Sequence, residues 1–143
     1  MRPLFLLIIL SFSISFNSMS QEKNEMENTI KVLSFNILHG ATTKGDFDLD
    51  ALAKVILATD PDFVALQEVD FRTARAKDYD LVTELGWRTK MAPIFGRAMP
   101  YDGGEYGEGV LSKHTFLKTR NVALPYSEGN EPRAALEVTT ILP

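Results

Sequence analysis

An α/β fold is predicted by three features of the 143-residue chain. Apolar stretches rich in β-branched residues alternate with segments of helical periodicity. A composition of 45% hydrophobic and 24% charged residues is that of an ordinary globular domain. No internal repeat or low-complexity tract follows the first 28 residues, and the length matches one domain.

The N-terminal segment reads as an export signal rather than as part of the fold. Met1-Arg2 gives a positive start, Leu4 to Ile14 is almost wholly apolar, and Ser18-Met19-Ser20 offers small residues before Gln21. This is the charged, apolar and small-x-small order of a secretory signal peptide. A membrane anchor is the alternative, but the run is shorter than the ~20 residues of a spanning helix and is diluted by Ser11, Ser13 and Ser15. Cleavage after Ser20 leaves 123 of the 143 residues and moves the formal charge from −4 to −5 by removing Arg2. Residues 21–28 form a polar leader, and the domain is expected over 29–143. Localisation would be secreted or periplasmic, with no membrane anchor left after cleavage.

Residues 30–38 (IKVLSFNIL) predict a strand apolar on both faces, hence one buried on both sides. Residues 40–45 form a loop. Residues 47–59, with Leu49, Leu52, Val55 and Ile56 in register, predict a helix capped by Asp46 or Asp48 and stopped at Asp60-Pro61. Residues 62–69 give a second buried strand. A short helix is expected over 78–85 with Gly86 as its C-cap, then a strand over 87–94. Four glycines and Pro100 mark 97–109 as a loop, and short strands are expected at 110–112, 115–124 and 134–141. Trp87 and Tyr79 are expected in the core, and His39 and His114 read mainly as surface or turn histidines.

Composition excludes some chemistry. With no Cys there is no disulfide framework, no thiolate zinc site and no cysteine nucleophile. A net charge of −4 disfavours a basic nucleic-acid footprint without excluding enzymes that cleave nucleic acid. The informative residues are Asn36 and Glu68, each late in an apolar strand where an uncompensated polar group costs a few kcal/mol. Two readings stay open for them. Glu68 pairs with Arg72 or Arg75 while Asn36 caps a turn, or both serve a hard divalent cation that takes oxygen ligands. Arg72, Arg75 and Lys77 form a small basic loop that is either solvated or in contact with phosphate.

Four blocks occur in order: VLSFNILHG (Val32–Gly40), PDFVALQEVD (Pro61–Asp70), GGEYGEGVLS (Gly103–Ser112) and EPRAALEV (Glu131–Val138). Together they resemble the endonuclease/exonuclease/phosphatase superfamily of DNase I-like, metal-dependent phosphodiesterases. The resemblance covers Ile30 to the C-terminus. It implies a four-layered α/β-sandwich with only the N-terminal half present. Glu68 matches the family's Mg²⁺ or Mn²⁺ ligand, and Asn36 matches the asparagine that supports the metal and the scissile phosphate. Glu105 and Tyr106 match a loop bordering the phosphate, and Arg133 a basic residue near the substrate, with Arg75 as a second substrate-binding candidate.

Two departures from the family pattern matter. The usual YGNAILS reads YGEGVLS here, so Glu108 stands beside a phosphate site, where a carboxylate repels substrate unless it points away or meets metal. The family's later Thr-His, Gly-Asp-Phe-Asn and Ser-Asp-His blocks do not occur before Pro143, so C-terminal truncation is expected. The resemblance implies Mg²⁺-dependent hydrolysis of a phosphodiester or phosphomonoester. Nucleic acid, a phospholipid headgroup and a small molecule are the candidate substrates, and no protein partner is expected. The rival reading is an inert fragment or a degenerate module that binds metal or phosphate without the catalytic Asp and His motifs.

Overall fold

β1 (Val32–Asn36) lies parallel to β2 (Phe63–Phe71), and α1 (Leu49–Thr59) connects them. This computed structural model describes residues 29–142, so the expected signal peptide and leader lie outside the described residues. Asp48 caps α1 by accepting from the Ala51 amide at 2.9 Å. The helix ends at Thr59, where Asp60 turns left-handed ahead of Pro61.

α2 (Leu81–Thr89) follows β2, and a hairpin of β3 (Ala92–Tyr101) and β4 (Gly104–Ser112) completes a four-stranded sheet of order β1-β2-β4-β3. A second hairpin, β5 (Phe116–Leu124) with β6 (Arg133–Thr140), forms a two-stranded sheet packed against β3 and β4. The fold class is mixed α/β, as the alternation predicts. The core lies between the larger sheet and the helices, where Ile37, Ile56, Leu66, Leu81, Leu85 and Leu111 are essentially excluded from solvent.

Four expectations are corrected. β1 is an edge strand, and only Leu33 and Phe35 on its helix side are partly covered, while Val32 on the other side is 65% exposed. Gly86 does not cap α2. It is buried inside the helix, where a Cβ would lie 2.9 Å from the Met91 carbonyl oxygen, and Lys90 supplies the left-handed cap instead. Trp87 is therefore helical and 81% exposed, and Tyr79 is also exposed, so neither belongs to the core. The glycine-rich stretch 97–109 is two strands joined by a turn at Asp102-Gly103, not a loop. Gly107 faces the Gly96 carbonyl across the β3–β4 ladder, closer than any Cβ could approach.

Candidate active site

The β2–β4 pairing breaks at one place. Leu66 stands opposite Gly109 and Val69 opposite Gly107, so Gln67 and Glu68 together face the single residue Glu108. This two-against-one pairing is a β-bulge, and Glu68 takes a left-handed backbone with φ 55° to make it. In a regular strand Glu68 would follow Val64 and Leu66 onto the helix side, because alternate residues share a face. The bulge turns the carboxylate away from that core and toward the opposite face. Asn36, at the end of β1, meets it there: its amide nitrogen donates to Glu68 Oε1 at 2.8 Å. The Asn36 side-chain oxygen accepts from the Leu38 amide at 2.9 Å, which fixes the amide's orientation.

Leu38 and His39 continue in left-handed backbone at φ 45° and 48°. Such conformations cost about 1–2 kcal/mol each in a residue other than glycine. The turn places His39 Nδ1 3.8 Å from Glu68 Oε2. His39 is thus on a turn, as its sequence context suggests, but it also faces the site. His114 sits at the other end of the sheet, with its Nε2 3.9 Å from Asp62.

A polar pocket of about 210 Å³ opens beside Glu68, walled by His39, Arg75, Tyr101, Tyr106 and Arg133. Arg75 reaches it by a built support. Its Nε and Nη2 donate to the fully buried Asp70 carboxylate at 2.6 and 2.8 Å, and Thr73 donates to the same carboxylate at 2.5 Å. The guanidinium lies over the Tyr101 ring at 4.4 Å and near Tyr106 at 5.6 Å. Arg133 extends from β6 to the same tyrosine, with its guanidinium 5.9 Å from the Tyr106 ring, and ion-pairs with Glu131 at 2.6 Å. Burial pushes the Tyr106 phenol above its ordinary value, against the Arg133 hydrogen bond, so it remains a donor at neutral pH.

Of the residues singled out from sequence, Asn36, Glu68, Tyr106, Arg75 and Arg133 converge here. Glu105 does not, because alternation puts it on the other face of β4 from Tyr106, where it pairs with Arg97 at 2.9 Å. Arg72 and Lys77 rest over the rings of Phe71 and Phe47. Sequence reasoning gave no part to Asp70, Tyr101 or Glu131, and left Glu108 without a role. Only Glu108 carried a usable signal: in Tyr106-x-Glu108 both side chains must share a face.

Among the described residues no three His, Cys, Asp or Glu side chains converge as a metal cage. One oriented carboxylate still fits Mg²⁺, which keeps most of its waters and takes one or two protein carboxylates plus substrate phosphate.

The profile of the endonuclease/exonuclease/phosphatase family matches residues 33–142, and so includes every residue of the site from Asn36 to Arg133. The chain belongs to the endonuclease/exonuclease/phosphatase family. It is similar in structure to an endonuclease/exonuclease/phosphatase from Beutenbergia cavernae DSM 12333, with 27% identity, a TM-score of 0.64, and coverage of 80% of this chain and 35% of that one. A family protein from Leptotrichia buccalis C-1013-b shares the fold at 17% identity and a TM-score of 0.61, over 78% of this chain and 50% of that one. A third, from Bacteroides vulgatus, does so at 17% identity and a TM-score of 0.56, over 76% and 45%. The chain thus spans between about a third and a half of the length of these family structures. No curated protein matches it significantly. Membership gives the DNase I-like fold and a phosphoesterase family.

Proposed function

We propose that the chain carries the metal-binding and phosphate-facing part of an exported, Mg²⁺- or Mn²⁺-dependent phosphoesterase. The Asn36–Glu68 hydrogen bond carries this reading. A strained bulge and an amide locked at both ends hold one carboxylate at the rim of a polar pocket. Glu68 would hold the cation, with Asn36 orienting it. A divalent cation supplies polarisation of a phosphoryl oxygen and offsets charge on the leaving oxygen. Arg133, across the pocket, offers donors to a phosphoryl oxygen of a nucleic acid, a phospholipid headgroup or a small phosphate ester. The Tyr106 hydroxyl, kept protonated, offers one more.

The test is hydrolysis of bis-p-nitrophenyl phosphate by the 143-residue chain in Mg²⁺. Turnover that disappears on Glu68→Ala supports the enzyme. A second reading, a module that binds phosphate without turnover, is favoured by the remote position of His114–Asp62, since neither described histidine is held by an aspartate at the site. Phosphate binding with no hydrolysis in any divalent cation supports that second reading instead.

A further inference from the structure

The sheet carries a second bulge, on β3. Arg97 stands opposite Gly107 and Met99 opposite Tyr106, so Ala98 is the extra residue. Before the bulge, Gly96 faces the β5–β6 sheet, where a Cβ would lie 3.0 Å from the Asn121 side-chain oxygen. Arg97 lies on the other face with its partner Glu105. Unbroken alternation would carry Ala98 and Pro100 onto the face of Gly96. The bulge puts Met99 and Tyr101 there instead, and both line the pocket beside Glu68. The bulges of β2 and β3 thus flank the same stretch of β4, one delivering the carboxylate and the other an aromatic wall.

Tyr101 is held firmly yet stays open. The Arg75 guanidinium lies 4.4 Å from its ring centre and is itself fixed by the buried Asp70. The next residue, Asp102, ties the strand end to the same loop: its carboxylate accepts from the Arg75 amide at 2.8 Å and its carbonyl from the Ala74 amide at 3.0 Å. Even so, Tyr101 is 38% exposed. A ring ordered before binding loses little freedom when a ligand arrives. Tyr106 stands 6.0 Å away at a 55° tilt and carries the contact with Arg133 on to the phosphate-facing side. Tyr101 is therefore one ring further from Arg133, beside whatever group the phosphate is esterified to.

We propose that Tyr101 is a specificity-determining residue that stacks the aromatic ring of an aryl phosphate ester whose phosphate lies toward Glu68 and Arg133. The proposal rests on the phosphoester function assigned to the same pocket and adds the group beyond the phosphate. Size agrees: a cavity of about 150 Å³ takes benzene, and the pocket of about 210 Å³ has room for one such ring with its phosphate. Met99, unbranched and polarisable, adapts to the ring edge. An aromatic pair adds roughly three- to tenfold in affinity beyond an apolar group of equal size.

The experiment titrates the full chain in magnesium-containing buffer with three phosphonates, in which CH₂ replaces the ester oxygen so that none is hydrolysed. Benzylphosphonate carries the aromatic ring, cyclohexylmethylphosphonate a saturated ring of similar size, and ethylphosphonate no ring. Amide chemical shifts followed by NMR give the affinities for wild type, Tyr101→Leu, Tyr101→Phe and Arg133→Ala. The expected result is a preference for benzyl- over cyclohexylmethylphosphonate of about fivefold in wild type, kept in Tyr101→Phe and reduced below about twofold in Tyr101→Leu. A merely structural role would weaken all three ligands together and leave that ratio unmoved. Equal affinities for the two rings in wild type, or a preference that survives Tyr101→Leu, overturn the role of Tyr101. If all three ligands then weaken in Arg133→Ala, the phosphoester reading stands. Binding of no ligand to wild type overturns both.

Discussion

Arg75 gives two of its donors to Asp70, a carboxylate that solvent does not reach, and turns the rest of its guanidinium to the tyrosines of the pocket. The pair links the fold to the site, because the same arginine satisfies a buried charge and braces the pocket wall. Arg75→Ala leaves Asp70 with only the Thr73 hydroxyl and the stack unsupported. Removing one partner of a buried pair costs about 3 kcal/mol. Urea unfolding should show that loss, and Arg75→Lys should restore only part of it, since a lysine cannot form the fork.

Asn36 acts through Glu68. Asn36→Ala removes the donor to Oε1 while exposing little new surface, so the folding free energy should change by less than about 1 kcal/mol. Mg²⁺ affinity should fall about 10- to 100-fold, the usual loss when a ligand's orienting partner is removed. The check is the rise in Tm with Mg²⁺, which should need correspondingly more metal in Asn36→Ala and vanish in Glu68→Gln.

The Tyr106 phenol should ionise at a higher pH than free tyrosine, with burial as the main cause. The fold therefore favours its protonated form. That contribution is complete below the unfolded-state value and is lost as pH rises through the folded one. Ultraviolet titration of wild type against Tyr106→Phe isolates the group. Arg133→Ala, which removes a hydrogen bond that lowers the value, should move it further up.

Glu108 has the same sign for the same reason. Burial raises its carboxyl, so the fold favours the neutral form, and wild type is at a disadvantage once pH exceeds the folded value. Glu108→Gln should raise Tm by about 2 °C at pH 7 and by nothing below about pH 4, where both chains are neutral at this position. Differential scanning calorimetry across that range reads the difference directly.

His39 holds a left-handed backbone that glycine would adopt freely. His39→Gly should stabilise the chain by about 0.5–1 kcal/mol in urea while weakening phosphate binding, because the pocket loses one wall. A gain in stability with a loss in binding identifies strain kept for the site.

Elements with strong local signals were readable from sequence. The cap at Asp48, the stop at Asp60-Pro61 and the strands carrying Asn36 and Glu68 need only neighbouring residues to specify them. Where tertiary contact decided, local rules gave way. Gly86 has the look of a helix terminator, but its helix runs on because only a bare Cα fits against Met91 and Pro93. Gly104, Gly107 and Gly109 have the look of a loop because the backbone they approach belongs to other strands. The site was half readable for the same reason. Motif residues gave Glu68 and Asn36, while the Asp70–Arg75 support and the place of Glu108 opposite the bulge depend on which strands pair.

Glu68 occupies a backbone position that glycine would fill at lower energy and asparagine with little loss. Drift toward stability alone would therefore erase this carboxylate early, since its replacement improves the fold. In a set of related chains, a glutamate at this position would mark those still under selection for the chemistry, and a glycine or asparagine those released from it.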